Sequence, residues 1–126
     1  MELDEKIFDL KLKGYCCSQI IMGLGLARLE RENADLIAAM GAFCNGLEEG
    51  KLCGTLAAAV SLLFVADARA AGSELRMSLM DWFYDRFGGY DCEEILQGNE
   101  MNKIAVCPGM IAETYAMVCD LLEWAP

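Results

Sequence analysis

Apolar residues recur every three to four positions along nearly the whole chain, and no stretch alternates with a period of two. In the first segment, for example, Leu3, Ile7 and Leu10 fall on one side of a helix that ends at Gly14. The predicted helices cover residues of about 4–13, 17–28, 33–44, 53–70, 73–87, 91–97 and 108–124. The pattern therefore predicts an all-α fold of six to seven helices.

The helix boundaries follow from capping residues and from proline. Three short polar residues stand where they can cap a helix: Asn33, Ser73 and Asp91. Asp91 is followed three positions later by Glu94, the spacing of a capping box. Pro108 follows Cys107, and proline is favoured at the first helical position, so the last helix is predicted to begin there. The preceding stretch QGNEMNK is interpreted as an irregular connection.

The segment CGTLAAAVSLLFVADARAAG is apolar on every face. Such a helix is normally buried on all sides, so we expect residues of about 53–70 to form a central helix around which the others pack. Its apolar run, residues 52–66, is shorter than the roughly 20 residues needed to cross a bilayer. The preceding loop, GAFCNGLEEGKLCG, is rich in glycine and would let backbone or a ligand approach closely.

The composition predicts one domain, residues 1–126, without contact to nucleic acid or membranes. A formal net charge of −10 leaves no basic patch to bind phosphates or an anionic bilayer. The N-terminal stretch MELDEKIFDL lacks the features of a signal peptide. Seven cysteines, an odd number without the framework of a secreted scaffold, favour a reducing cytoplasm. Stripes of methionine and aromatic residues indicate a homodimer.

The cysteines divide into two groups by their positions on the predicted helices. Four of them fall in the first turn or cap of a helix: Cys17, Cys53, Cys92 and Cys107. A helix N-terminus presents unpaired N–H groups and a partial positive charge, which stabilise a thiolate. The chain contains no histidine, so these thiols are the predicted reactive groups. Cys16 and Cys119 are interpreted as space-filling, and Cys44 as space-filling or supporting.

Four short stretches together resemble the C_GCAxxG_C_C family of redox-active proteins: GYCCSQ, GAFCNGLEEGKLCGTLAAA, FYDRFGGYDCEEIL and VCPGMIAE. The resemblance extends over residues of about 14–118. It implies that four cysteines correspond to those of the family: Cys17, Cys53, Cys92 and Cys107. The sequence departs from the family pattern at Cys44 and Asn45, where relatives tend to have glycine. The resemblance implies redox activity without specifying a substrate.

We therefore expect a redox-active protein that exchanges disulfides or transfers electrons. Its expected partner is another protein or a small thiol or disulfide. If it exchanges disulfides, it is an enzyme, a thiol–disulfide oxidoreductase. Cys53 is predicted to be the attacking or central thiol. The resolving thiol is then Cys17, Cys92 or Cys107. The vicinal pair Cys16 and Cys17 is the least favoured disulfide. No cofactor is required by this mechanism.

Two alternatives remain open from the sequence. In the first, the four helix-start cysteines bind an iron–sulfur cluster, or less favourably zinc, since a set of thiolates without imidazole suits a soft metal. Gly46, Gly50 and Gly54 would then give a bound group close access to the backbone. In the second, the chain is a helical interaction protein whose cysteines only fill space.

Overall fold

The structure, a computed structural model, describes residues 2–99 and 101–124. It contains seven helices: α1 (Leu3–Leu12), α2 (Cys17–Arg28), α3 (Ala34–Met40), α4 (Gly54–Ala70), α5 (Arg76–Phe87), α6 (Cys92–Ile95) and α7 (Asn102–Leu121). No strand occurs in these residues, apart from an isolated bridge between Leu52 and Asp91. The prediction of an all-α fold is therefore confirmed. Positions 1, 100, 125 and 126 of the predicted domain lie outside the described residues.

Helix α4 is the central helix, as its apolar sequence predicted. Eight of its residues are buried, and they lie mostly in its first half: Gly54, Thr55, Leu56, Ala57, Ala58, Ala59, Leu62 and Leu63. Five of these eight belong to one hydrophobic core with side chains from the other helices, including Ile7 of α1, Ile21 of α2, Phe83 of α5 and Val118 of α7. The second half of α4 is less covered, and Phe64 is exposed. The core therefore surrounds the start of α4, where Cys53 stands.

The stretch Gly54–Phe87, which covers α4, α5 and the helical turn between them, is long and apolar enough, by length and composition alone, to cross a membrane. In the fold, 44% of its most apolar window is buried inside the protein. Core helices of soluble proteins meet the same criterion. The buried first half of α4 accounts for much of its apolar character through packing within the chain.

Contact between α2 and α4 depends on a glycine. A Cβ atom added at Gly25 would collide with the side chain of Leu62, which is fully buried and has little room to move. We expect Gly25→Ala to lower the free energy of unfolding by about 1–3 kcal/mol, the usual cost of overpacking a core. Urea denaturation measures this change. Gly23→Ala is the matched control on the same helix, because its Cβ would lie 3.7 Å from Leu10 in ordinary contact; equal stability of the two variants would contradict the prediction.

Ser73 does not cap a helix, contrary to the prediction. Its hydroxyl donates a hydrogen bond to the carbonyl of Ala70 (3.2 Å), and a wider helical turn, Ala71–Leu75, connects α4 to α5. The break in helical geometry comes earlier, at Asp67, where φ is −159°. The Asp67 carboxylate accepts a hydrogen bond from the N–H of Ala70 at 3.1 Å, the bond that an N-cap side chain makes. Asp67 therefore takes the capping role that was expected of Ser73.

The predicted start of the last helix at Pro108 is also wrong, since α7 begins at Asn102. Two asparagines hold this earlier start. The Asn99 side chain accepts a hydrogen bond from the N–H of Met101 (2.9 Å), and the Asn102 side chain donates one to the carbonyl of Leu96 (2.9 Å). Pro108 lies inside the helix, where the missing N–H removes one intrahelical hydrogen bond. The stretch interpreted as irregular thus contains the true helix start.

Candidate functional site

The starts of α4 and α6 are held side by side by the bridge between Leu52 and Asp91. Two backbone hydrogen bonds flank it: Cys53 N–H to the Tyr90 carbonyl, 2.7 Å, and Cys92 N–H to the Lys51 carbonyl, 2.8 Å. Successive side chains of an extended segment point to opposite faces. Because Cys53 and Cys92 each directly follow a bridge residue, their side chains lie on the same face. Residues far apart in sequence are thereby brought together as a pair of thiols.

Cys92 is the more acidic thiol of this pair. A hydrogen bond from the Cys53 thiol is the largest cause that lowers the pKa of Cys92, to about 7. The N–H of Gly54 and the ammonium of Lys103 lower this pKa further, while burial and the carboxylate of Asp91 raise it. At neutral pH, Cys92 therefore carries a substantial fraction of thiolate, the nucleophilic form of cysteine.

Cys53 has the opposite character. The residue is only 1% exposed, directly precedes α4 and belongs to the hydrophobic core. The hydrogen bond to Cys92 is the largest cause that raises the pKa of Cys53, followed by burial, and the N–H of Leu56 offsets them in part. The shared proton therefore stays on Cys53, and the negative charge lies on Cys92.

Cys17 approaches the same helix start from α2, of which it is the first residue. A Cβ atom added at Gly54 would lie 3.2 Å from the sulfur of Cys17 and 2.6 Å from the carbonyl oxygen of Phe43. Neither contact leaves room for a side chain at position 54. Gly54 thus has a steric role, which is to let Cys17 and the Phe43 backbone pack against the start of α4.

One pocket of about 600 Å³ is lined by all four of the predicted cysteines: Cys17, Cys53, Cys92 and Cys107. Its rim carries the carboxylates of Glu48, Glu49 and Glu93 and the ammonium of Lys103. Gly50 also lines it, with φ of +71° and its Cα against the side chain of Glu93. The structure therefore brings together four thiols that the sequence supplies from four separate segments.

One protein-family model matches most of the chain. The family model described as "Putative redox-active protein (C_GCAxxG_C_C)" matches residues 15–121, a stretch that includes all seven cysteines. The chain belongs to the C_GCAxxG_C_C family. No match was found among curated proteins or among solved structures. The family description names redox activity, and the cysteines are the candidate groups in this chain for it.

Within this C_GCAxxG_C_C protein, Cys107 differs from the other three pocket cysteines. It lies inside α7 and not at a helix start, so the predicted helix-dipole stabilisation is wrong for this residue. Burial is the largest cause that raises the pKa of Cys107, to about 11, and the nearby sulfur of Cys17 adds to it. Cys107 therefore faces the pocket as a neutral thiol at physiological pH.

Gly46 lies beside the pocket and does not line it. Its φ is +61°, and an added Cβ would collide with the backbone of Lys51. Only glycine fits this position without strain. Gly46 therefore determines the shape of the loop and does not itself give a bound group access to the backbone. Gly50, in contrast, lies on the pocket wall.

Cys16 and Cys44 form a disulfide, with their Cα atoms 5.9 Å apart. Sequence reasoning missed this bond, because it interpreted Cys16 as space-filling and left Cys44 open. The available signal lay in the resemblance, which implies that relatives tend to have glycine at the position of Cys44 and that Cys16 is an addition, so the two departures occur together. Cys16 is the N-cap residue of α2, and its sulfur lies 3.2 Å from the hydroxyl of Ser18.

The arrangement of donors does not fit a metal site. Four thiols without imidazole suit a soft metal in principle. Within residues 2–99 and 101–124, however, no group of three or more Cys, Asp or Glu side chains lies close enough to hold a metal ion. The four thiols are distributed around the pocket wall, and Cys53 and Cys92 are placed on the same face by the Leu52–Asp91 bridge.

Proposed function

We propose that the protein exchanges disulfides with a redox partner, with Cys92 as the attacking thiol and Cys53 as the resolving thiol. The observation that supports this most strongly is the Leu52–Asp91 bridge, which places Cys53 and Cys92 on the same face beside the pocket, where the pKa of Cys92 is lowered to about 7. The sequence favoured Cys53 as the attacking thiol. Its burial and raised pKa favour the reverse order, because an attacking sulfur must be both ionised and accessible.

The proposed reaction proceeds in two exchange steps. The Cys92 thiolate attacks one sulfur of the partner disulfide, the partner's S–S bond breaks, and one partner thiolate leaves. Cys53 then gives up its proton to that thiolate or to solvent and attacks the sulfur of Cys92 in the mixed disulfide. A Cys53–Cys92 disulfide forms and the second partner thiolate is released. Two electrons pass in this way from the cysteine pair to the partner, and the reverse sequence oxidises a partner dithiol.

The charge of the rim favours neutral or cationic disulfides as substrates. Three carboxylates, of Glu48, Glu49 and Glu93, face one ammonium, of Lys103. The formal net charge of −10 adds a field that repels anions. We expect cystamine, which is cationic, to react faster than dithiodiglycolate, which is anionic, by about tenfold at low salt, with the ratio shrinking as salt is added.

Stopped-flow rates at two salt concentrations measure this preference. Glu49→Gln together with Glu93→Gln removes two negative charges and is expected to reduce the ratio. Glu2→Gln at the N-cap of α1 and Glu5→Gln in its first turn remove the same net charge without changing a residue that lines the pocket, and they serve as the control. A faster reaction with the anionic disulfide would overturn the charge argument.

The proposed function is tested by locating the disulfide that forms during turnover. The protein is purified anaerobically, its thiols are counted and its iron is measured. It is then treated with one equivalent of a small neutral disulfide and analysed by peptide mapping. We expect a Cys53–Cys92 bond and the loss of two free thiols. Thiols that all remain free, or stoichiometric iron with visible charge-transfer absorption, would contradict the proposal in favour of the interaction or iron–sulfur alternative.

A further inference from the structure

The segment of residues 44–50, here called the pocket loop, has an unfavourable backbone. Its non-glycine residues Asn45, Leu47 and Glu48 have φ values of 53°, 62° and 61°, in the left-handed region. Side chains are disfavoured there because Cβ comes too close to the following carbonyl oxygen. Such a conformation persists only where the surrounding structure holds it. The restraints on this loop therefore determine its shape.

Few side chains tie the pocket loop to the rest of the molecule. Leu47, Glu48 and Glu49 are exposed, and the hydrogen bond between Asn45 and Glu48 is exposed as well. Three of its backbone hydrogen bonds run within the loop and to the residue after it: Glu48 N–H to the Cys44 carbonyl, Gly50 N–H to the Asn45 carbonyl and Lys51 N–H to the Gly46 carbonyl. A fourth joins the Cys44 N–H to the Gly41 carbonyl at 3.2 Å, just before the loop. The loop is thus held mainly at its ends, by the Leu52–Asp91 bridge on one side and by the disulfide and this hydrogen bond at Cys44 on the other.

The packing of α3 against α2 is held independently of the disulfide. The Ser18 hydroxyl donates a hydrogen bond to the carbonyl of Met40 at 2.7 Å, and both residues are buried. The Gln19 side chain donates another to the carbonyl of Ile37 at 3.3 Å. Cleavage of the disulfide would therefore release the loop while leaving the packing of α2 on α3 in place.

We propose that the Cys16–Cys44 disulfide is a reversible redox latch that controls access to the four-cysteine pocket. The loop that it fixes supplies four of the pocket's lining residues: Asn45, Glu48, Glu49 and Gly50. Both cysteines are partly exposed, so a reductant can reach them. With the latch closed, the loop keeps its left-handed backbone and forms one wall of the pocket. With the latch open, the loop relaxes and Cys92 is exposed to larger partners.

Opening of the latch is a two-electron reduction by a dithiol. One thiolate of the dithiol attacks a sulfur of the disulfide, forms a mixed disulfide and releases the other cysteine as a thiolate. The second thiolate of the reductant then attacks the mixed disulfide. The products are the two free cysteines, which take up two protons, and the oxidised dithiol. The effect of the latch on disulfide exchange rests on the proposed function. Release of the loop does not, because it is a change in structure alone.

Hydrogen exchange tests the latch without any exchange chemistry. Wild-type protein is compared with and without dithiothreitol, and with a double variant, Cys16→Ser with Cys44→Ser. We expect amides of the loop, at Glu48, Gly50 and Lys51, to exchange about tenfold faster when the bond is absent, while amides of α4 stay protected. The chemically reduced wild type carries no substitution, so a folding defect of the variant cannot explain its result. Cys119→Ser is the control for loss of a cysteine elsewhere.

A second readout connects the loop to the pocket. Cys92 is modified by iodoacetamide, which is small, and by a maleimide attached to a polymer, which is bulky. We expect opening of the latch to raise the rate with the bulky reagent several-fold more than the rate with the small one. Unchanged loop exchange, or protection lost throughout α4, would overturn the latch even if Cys92 exchanges disulfides. A released loop with an unreactive Cys92 would instead keep the latch as a structural switch and reject the proposed function.

Discussion

Substitution of Cys92 by serine is expected to slow disulfide exchange by about a hundredfold or more. The variant removes the thiol whose pKa is held at about 7. Of the three remaining pocket thiols, Cys53 is buried with a raised pKa and Cys107 has a pKa of about 11, so neither of these two replaces it. Single-turnover kinetics with a neutral disulfide measure the loss. Cys119→Ser, which removes a cysteine outside the pocket, should react at the wild-type rate.

The pH dependence gives the same assignment an independent check. Cys92 reacts as its thiolate, and its pKa is lowered to about 7. The rate of Cys92 alkylation should therefore rise with pH, reach half its maximum near pH 7 and level off above about pH 8. Cys53→Ala removes the hydrogen bond that lowers this pKa most, so its half-maximum should move to higher pH. Mass spectrometry after iodoacetamide treatment follows Cys92 alone. A wild-type midpoint at pH 9 or above would contradict the assignment.

The sequence predicted the fold well, because a helical repeat of apolar residues and local capping signals determine most of the helices. The start of α2 at Cys17 and the capping box of α6 are both read from residues within four positions of each other. The contact between Cys53 and Cys92 was beyond such reasoning. It depends on the bridge between Leu52 and Asp91, two residues without alternating neighbours, whose pairing arises only when the helices pack.

The misplaced helix start at Pro108 has a local cause. Proline is most frequent at the first helical position, and that preference was given more weight than the asparagines of QGNEMNK. The structure places the decisive hydrogen bonds on Asn99 and Asn102. Cys107 was consequently assigned the electrostatics of a helix start, whereas its environment is that of a half-buried helical residue. Cys107 shares with the other three cysteines its place in the pocket wall, and not a place at a helix start.

Gly54→Ala is expected to lower both stability and the acidity of Cys92. The added Cβ would lie 2.6 Å from the Phe43 carbonyl oxygen, a backbone atom that cannot rotate away, and 3.2 Å from the sulfur of Cys17. The start of α4 must shift, at a cost of about 1–3 kcal/mol in the free energy of unfolding. Because the N–H of Gly54 helps to lower the pKa of Cys92, that shift should also raise this pKa.

Urea denaturation and the pH profile of Cys92 alkylation measure the two effects in the same variant. Gly109→Ala is the matched control, since a Cβ there meets nothing within 4 Å and alanine favours a helix by about 0.5–1 kcal/mol over glycine. It should be as stable as the wild type or more so, with an unchanged alkylation midpoint. A Gly54→Ala protein that is destabilised but keeps the midpoint near pH 7 would separate packing at the helix start from the acidity of Cys92. The hydrogen bond from Cys53 would then be sufficient to hold the thiolate, and the alkylation profile of Cys53→Ala would become the decisive measurement.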